Sequence, residues 1–355
     1  MDAPLHVLVV DDSAVVRQAF TLVLSRHRDI TVETASDPIL AMDRIRRRRP
    51  SVLVLDLELP RMDGLTFLRQ LMRDDPLPVV VCSGRVRAGS EAAVRALEEG
   101  AVELIAKPDL GVGDFLRESS TLLVDTVRAA ARARPRAQKL APAPSPRGPT
   151  TLTPPPLLRV TTDKVIAVGA STGGTDALRQ LLEVMPPDCP GFVIVQHMPQ
   201  YFMTAMARRL QQLCRIEVKE AAHGDRITQG RALIAPGNRH MRVVRSGGHY
   251  QVELSDEPPV AWHRPSVDVL FHSVARAAGP NAVGALLTGM GSDGAQGLLA
   301  MKRAGAATLA QDEASCVVFG MPKEAIALGA VDEVVPLERM AEAVLRWARR
   351  AVSQP

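Results

Sequence analysis

Aromatic side chains make up only 3% of the 355 residues, so cores must be filled with Val, Leu, Ala and Met, and stacking platforms for single-stranded nucleic acid are not expected. Cysteine is also sparse. The four present, Cys82, Cys189, Cys214 and Cys316, have neither C-x-x-C spacing nor the density of a disulfide scaffold, which argues against structural zinc and for a reducing compartment. No apolar run approaches the ~18 residues of a membrane span, and the first residues lack a signal-peptide pattern. The expected location is the cytoplasm, with no membrane insertion. An excess of one charge sign is missing everywhere except in one segment: residues 1–130 carry a net −3, residues 131–160 a net +6 and residues 161–355 a net +1. The basic segment, "ARARPRAQKLAPAPSPRGPTTLTPPPLLR", is where prolines crowd, and its Pro/Ala/Arg composition suits a semi-extended linker rather than a nucleic-acid surface. The expected organisation is a first domain over 1–128, a linker over 129–160 and a second domain over 161–355.

In the first domain, "HVLVV", "ITVETA", "VLVLD", "PVVVC" and "VELIA" alternate with segments of helical period. Continuous Val/Leu strands separated by helices predict a doubly wound parallel α/β sheet covered on both faces. Asp11 and Asp12 follow the first strand and Asp56 ends the third, so three carboxylates converge at the carboxyl edge. Like charges gathered there call for a hard cation such as Mg²⁺ or a shared proton. Ser83 and Lys107, after strands four and five, stand where a hydroxyl and an ammonium can hold phosphoryl oxygens. "RIRRRRP" (44–50) reads as the solvated, dipole-complementing end of a helix. The set "VVDDS", "VLDLELPRMDGL", "CSG" and "AKP" resembles the response-regulator receiver domain, of flavodoxin-like fold. That resemblance implies Asp56 as phospho-acceptor, Asp11, Asp12 and Asp56 as Mg²⁺ ligands, Ser83 and Lys107 as the switch pair, and a cis Lys107–Pro108 bond. Receivers often carry an aromatic three positions before the lysine; here that position is Leu104, so no flipping ring can report phosphorylation.

The second half repeats the strand pattern in "KVIAVGA", "FVIVQH", "IEVKEA", "RALIAPG", "AVGALLTGM" and "AATLAQD", with helical stretches near 175–185, 200–213, 266–278 and 294–304. A β-hairpin is expected around Gly247-Gly248, giving a doubly wound but mixed, mostly parallel α/β domain. The stretch "VIAVGASTGG" admits two chemistries: a phosphate cradle at a helix start, or a nucleophile elbow, since Gly169–Gly173 fits G-x-S-x-G. Ser171, His197 and Asp293 each follow a predicted strand and can share one sheet edge, where an imidazole could take the serine proton and a carboxylate could orient the ring. The cradle gives His197 and Asp293 no role and lacks the P-loop lysine. The order Ser, His, Asp also differs from that of the α/β-hydrolases. Arg239, His240, Arg264 and Asp268 are candidates for substrate contact, equally readable as hairpin or helix-start hydrogen bonds.

"VIAVGASTGG", "VIVQHMP", "ALIAPGNRHM", "RPSVDVLFHSVA", "LTGMGSDGAQGLLAM" and "QDEASCVVFGMPKEAI" resemble the catalytic domain of the chemotaxis protein-glutamate methylesterase family. The resemblance implies Ser171 as nucleophile, His197 as general base and acid, Asp293 as orienting carboxylate, and backbone N–H groups near Thr172 and Met290 as the oxyanion hole. It implies hydrolysis of glutamyl methyl esters and deamidation of glutamines on methyl-accepting chemotaxis receptors, with a histidine kinase as phosphodonor, no cofactor for the esterase reaction, and a monomer. It also implies that the unphosphorylated receiver hinders the serine edge and that phosphorylation relieves this. A DNA-binding regulator would need a basic reading element after the linker, and an inactive adaptor would lack one of the three catalytic residues; neither feature is present in the sequence.

Overall fold

The computed structural model of the protein describes residues 4–84, 87–107, 120–133 and 164–350. The first half builds five strands, β1 (Leu5–Val10), β2 (Ile30–Ala35), β3 (Val52–Asp56), β4 (Val79–Ser83) and β5 (Glu103–Ala106), in the all-parallel order β2-β1-β3-β4-β5. Helices α1 (Ala14–Leu24), α2 (Pro38–Arg47), α3 (Gly64–Asp74), α4 (Arg87–Glu98) and α5 (Ser120–Arg132) cover it. Covered on both faces, β3 and β4 are buried at every position, which is why their sequence runs apolar instead of alternating. Ser13, Asp37 and Asp63 start the first three helices by accepting the N–H of Val16, Leu40 and Thr66. The arginines of 44–49 close α2 as expected, with Arg44 on Glu33, Arg47 on Asp43 and Arg49 on Asp75. Helix α5 runs to Arg132 with Ala129 and Ala130 buried, so the folded part extends past residue 128. Pro108, with its expected cis bond, and residues 134–163 of the linker lie outside the described residues.

The second half is larger. Its sheet contains β6 (Val165–Ala170), β7 (Gly191–Gln196), β8 (Glu217–Glu220), β9 (Arg231–Ile234), then, beyond the hairpin β10 (His240–Ser246) and β11 (His249–Ser255), β12 (Ala282–Leu286), β13 (Ala307–Gln311) and β14 (Glu333–Val335). The order β14-β13-β12-β6-β7-β9-β8 is parallel throughout. Helices α6 (Gly174–Glu183), α7 (Gln200–Leu213), α8 (Val267–Ala277), α9 (Ala295–Arg303), α10 (Met321–Ala327) and α11 (Leu337–Arg349) pack on it. The hairpin turns at Gly247, whose φ of 59° favours glycine. It makes this half mixed and mostly parallel, as expected: β10 and β11 form their own antiparallel ribbon beside the parallel sheet, with an isolated bridge from Gln251 to Arg226. Their alternating pattern buries Met241, Val243, Val252 and Leu254 in the same apolar cluster as Phe271 of α8, so the hairpin occupies a helix's place in the layer.

The two halves meet along helices. Ala93, Val94 and Leu97 of α4 and Met203, Met206, Ala207 and Leu210 of α7 belong to one apolar cluster, and α4 packs against α7. At its rim the Arg209 guanidinium holds the Glu98 carboxylate at 2.6 and 3.0 Å. Among the described residues no helix is long and apolar enough to cross a membrane.

Strand β6 carries Ser171 at its end, and α8 crosses it closely at Gly169. A Cβ there would stand 3.1 Å from Leu286 Cδ1 and closer still to Val267. Gly169→Ala is therefore expected to lower the unfolding free energy by about 1–3 kcal/mol, seen as a lower urea midpoint with an unchanged slope.

Candidate active site

Strand order in the second sheet reverses between β6 and β12, the position at whose carboxyl edge open α/β sheets place their ligands. Ser171 emerges one residue after β6, and its N–H donates to Thr288 O of the neighbouring strand end at 3.0 Å. His197 leaves β7 one step beyond the Ala170–Gln196 register pair, with its own N–H on Ala170 O at 3.0 Å. The Gln196 amide ties the two together, donating to Ser171 O and His197 O at 2.9 Å each. The turn between β6 and α6 closes through Gly173, at φ 76°, rather than through a left-handed serine. A strand-turn-helix is thus present as expected. The serine itself is buried, only 9% exposed, and not presented to solvent.

Asp293 lies at the N-terminus of α8 and is 2% exposed. Its Oδ2 accepts His197 Nε2–H at 2.9 Å and Val267 N–H at 2.8 Å; its Oδ1 accepts Ser266 Oγ–H at 2.8 Å and Asp268 N–H at 2.9 Å. Burial alone would raise the carboxyl, but the hydrogen bond and charge of His197 and the two N–H groups outweigh it and hold the pKa at about 2. An ionised carboxylate can only accept, so Nε2 carries a proton and donates it to Asp293. Nδ1 is buried and has no hydrogen-bond partner, and neither ring nitrogen is bonded to the serine hydroxyl. Catalytic hydrogen bonds are commonly unformed before substrate arrives.

The N–H groups of Thr172 and Met290 make no hydrogen bond among the described residues. Met290 follows Gly289, where a Cβ would stand 2.6 Å from Ser171 Cβ, so the absence of a side chain lets this backbone cross the serine.

His263 is a residue that sequence reasoning missed. Its ring stacks on His197 with centroids 3.9 Å apart and planes 13° from parallel. Burial and the neighbouring His197 charge, against Asp293, push its pKa down to about 4, so it is a neutral plate at physiological pH. His197, His263 and Asp293 offer ligand atoms within 4.8 Å of one another, but parallel rings cannot aim their in-plane lone pairs at one ion. Gln196 and Ser266 were missed as well. Only the Ser266 cap at the start of a helical run left a readable signal.

The four candidate substrate residues are otherwise engaged. Arg239 holds the Asp256 carboxylate, and His240 bridges Pro258 O and Ser266 N–H. Arg264 donates to Asn238 Oδ1 and to the carbonyls of Asp256 and Glu257, while Asp268 accepts Gly297 N–H at 2.6 Å.

In the first half, Asp11, Asp12 and Asp56 bring carboxylate oxygens within 4.8 Å of one another. Lys107 Nζ lies 2.6 Å from Asp56 Oδ2 and 3.5 Å from Asp11 Oδ2. Burial, countered by Lys107 and reinforced by the Asp56 charge, raises Asp11 to about 6. Asp11 Oδ2 is buried without a hydrogen bond, the open donor a hard cation would take. Ser83 ends β4 on the same edge, buried, and its carbonyl accepts Lys107 N–H at 2.9 Å. Leu104 is buried in the cluster shared by both halves. Beside it, Glu103 has Thr172 as a partner across the seam; burial, against that hydroxyl and the Leu104 N–H, pushes its carboxyl up to about 7.

The depressed pKa of Asp293 makes an acid-stability prediction. A carboxyl at about 2 when folded and near 3.8 when unfolded contributes stability above pH 4 that is lost as pH falls toward 2. The unfolding free-energy gap between wild type and Asp293→Asn is expected to shrink by about 2 kcal/mol from pH 5 to pH 2 in denaturant titrations. A constant gap would contradict the depressed pKa.

The sequence matches the CheB methylesterase family over residues 166–344 and the response regulator receiver domain over residues 7–111. A protein-glutamate methylesterase/protein-glutamine glutaminase of Anaeromyxobacter dehalogenans is 60% identical over 348 residues, covering 97% of this chain and 99% of that one. One from Salmonella typhimurium is 53% identical, covering 96% of each. The crystal structure of the Thermotoga maritima CheB methylesterase catalytic domain, 33% identical, superposes with a TM-score of 0.51 over 52% of this chain and 98% of that one. With Ser171, His197 and Asp293 gathered at one sheet edge behind a receiver sheet, and with relatives aligned over nearly its full length, the chain belongs to the CheB methylesterase family.

Proposed function

We propose that the chain is a phosphorylation-regulated protein-glutamate methylesterase and protein-glutamine glutaminase acting on methyl-accepting chemotaxis receptors, a cytoplasmic monomer with a receiver, a linker and a catalytic half over 161–355. The observation that carries this reading is the four-donor seating of Asp293 against His197, one register step from Ser171. Nδ1 of His197 takes the proton of Ser171 Oγ as the oxygen attacks the γ-carbonyl of a glutamyl methyl ester. The charge that develops on the carbonyl oxygen is met by the free N–H groups of Thr172 and Met290. The imidazolium, stacked on the neutral His263 ring and paired with Asp293, returns the proton to departing methanol. Water, deprotonated by the same nitrogen, then frees glutamate. With a glutamine side chain the departing group is ammonia.

Asp56 is the phospho-acceptor on this reading, supplied by a histidine kinase. A divalent cation, Mg²⁺, held by Asp11, Asp12 and Asp56 would neutralise charge on the transferring phosphoryl oxygens, and the unfilled Asp11 Oδ2 supports its fit. Lys107 and Ser83 hold the phosphoryl oxygens afterwards. The buried serine and the Glu103–Thr172 contact support inhibition by the unphosphorylated receiver.

Mass spectrometry of receptor peptides incubated with enzyme tests the chemistry, since methyl loss and deamidation shift mass in opposite directions. Wild type is expected to produce both shifts and Ser171→Ala neither; Asp293→Asn should lower kcat about 10⁴-fold. Equal turnover by Ser171→Ala would refute the serine mechanism. Arg209→Ala, which loosens the α4–α7 seam, is expected to raise the unphosphorylated rate severalfold. A rate no higher than wild type in the same assay would count against inhibition through this seam.

A further inference from the structure

Residues 260–263 close a two-residue turn. Val260 N–H donates to His263 O at 3.0 Å and His263 N–H to Val260 O at 2.9 Å, with Ala261 at φ 48° and Trp262 at φ 68°. Both central residues are left-handed, a turn that prefers Asn-Gly because a side chain at positive φ is strained. Here the strained position holds an indole that is 96% exposed, while no other large hydrophobic among the described residues exceeds the 65% of Ile39. Left-handed non-glycine residues persist where the surroundings force them, and such strain clusters at functional sites.

The surroundings are rigid. Arg264, next but one in sequence, is bonded to Asn238 Oδ1 at 3.0 and 2.6 Å and to the carbonyls of Asp256 and Glu257 at 3.0 and 3.1 Å. His240 Nε2 fixes Pro258 O at 3.0 Å, and the guanidinium of Arg242 grips Glu257. The indole is therefore presented on a fixed platform, and its immediate neighbour, His263, stacks on His197. A large apolar group one residue from the ring that supports the catalytic base, left wholly in water by this chain, is complete only when something else covers it.

We propose that Trp262 is a substrate-docking residue, packing on an aliphatic side chain of the receptor segment that bears the glutamyl methyl ester. This rests on the methylesterase reading. A methyl ester offers little surface of its own, so a protein substrate must be held by contacts beyond the reacting group, and binding energy from such remote contacts serves the reaction. A rigid aromatic anchor binds at small entropic loss, which a pinned turn supplies and a mobile loop would not.

The test compares full-length wild type, Trp262→Gly, Trp262→Ala and Trp262→Phe on two substrates, purified methylated receptor and p-nitrophenyl acetate, under one phosphorylation condition. Glycine relaxes the turn, so its Tm should be no lower than wild type and a folding defect is ruled out directly. The ratio of kcat/KM for receptor to kcat/KM for the small ester is expected to fall at least tenfold in the glycine and alanine variants, through KM, and to be largely restored by phenylalanine. A ratio within twofold of wild type in both small variants overturns docking by Trp262. A parallel loss on both substrates overturns it too, by assigning the effect to the His263–His197 stack. Wild type that cleaves the small ester but leaves receptor methyl groups untouched overturns the methylesterase reading and, with it, this proposal.

Discussion

A carboxylate kept ionised in the interior is the constraint around which the second half is organised. Burial favours the neutral acid, and Asp293 stays charged because four donors converge on two oxygens. Three of the four belong to the start of α8: the Ser266 hydroxyl that caps it and the N–H groups of Val267 and Asp268. The positive end of the helix dipole adds to them. The fourth is His197. Its imidazole is thereby fixed in orientation and tautomer by a helix terminus, and any displacement of α8 would be felt at the ring. Close crossings hold that helix. Gly294 is left-handed, and a Cβ there would stand 2.6 Å from Val267; at Gly297 it would stand 2.6 Å from Phe271 Cβ. These glycines let α9 approach α8 closely enough for Asp268 to accept Gly297 N–H.

Both sheets use the same topological position for different electrostatics. Each reverses its strand order once, between β1 and β3 in the first half and between β6 and β12 in the second, and each gathers its polar residues there. The first gathers like charges: Asp11 is raised to about 6 because burial and Asp56 both oppose its ionisation, with Lys107 only partly relieving them. On the proposed reading a divalent cation offsets that repulsion. The second instead pairs the Asp293 charge with its own donors.

Much of this was legible in the sequence, for reasons that differ by element. Strands such as β3 and β6 are read easily because a fully covered parallel strand must be apolar at every position. Ser171, His197 and Asp293 are read because each follows such a strand. The short edge strand β14 and the seven-residue α10, with Pro322 in its first turn, carry too little pattern to find. Helix α11 is different: Leu337, Met340, Ala343 and Val344 repeat at helical spacing, so its signal is present in the sequence. His263 leaves no such trace. Its place against His197 is set by a turn whose two left-handed residues, Ala and Trp, are ones that turn chemistry would not nominate. That the hairpin stays a separate two-stranded ribbon is equally invisible locally, since hairpin alternation does not say which sheet, if any, a hairpin joins.

On the proposed reading, β5 is the element that joins the two sites. Lys107, just past its end, bonds the Asp56 carboxylate; three residues earlier Leu104 is embedded in the apolar cluster that spans both halves, and Glu103 has Thr172, next to Ser171, as a partner. On the proposed reading, a phosphoryl group on Asp56 draws the Lys107 ammonium to its own oxygens, and the strand end readjusts with it. An aromatic residue could answer by swinging between a buried and an exposed rotamer. Leu104 cannot, since it has no polar tip to trade for burial, so the response must travel as a shift of packing along β5 and α4. The seam is suited to this. Its ion pair, Arg209 with Glu98, is partly exposed and worth at most about 1 kcal/mol, so apolar contact carries most of the closure. A change of about 1.4 kcal/mol in that contact alters the closed-to-open ratio tenfold, which is within reach of one rearranged ammonium at the head of the strand.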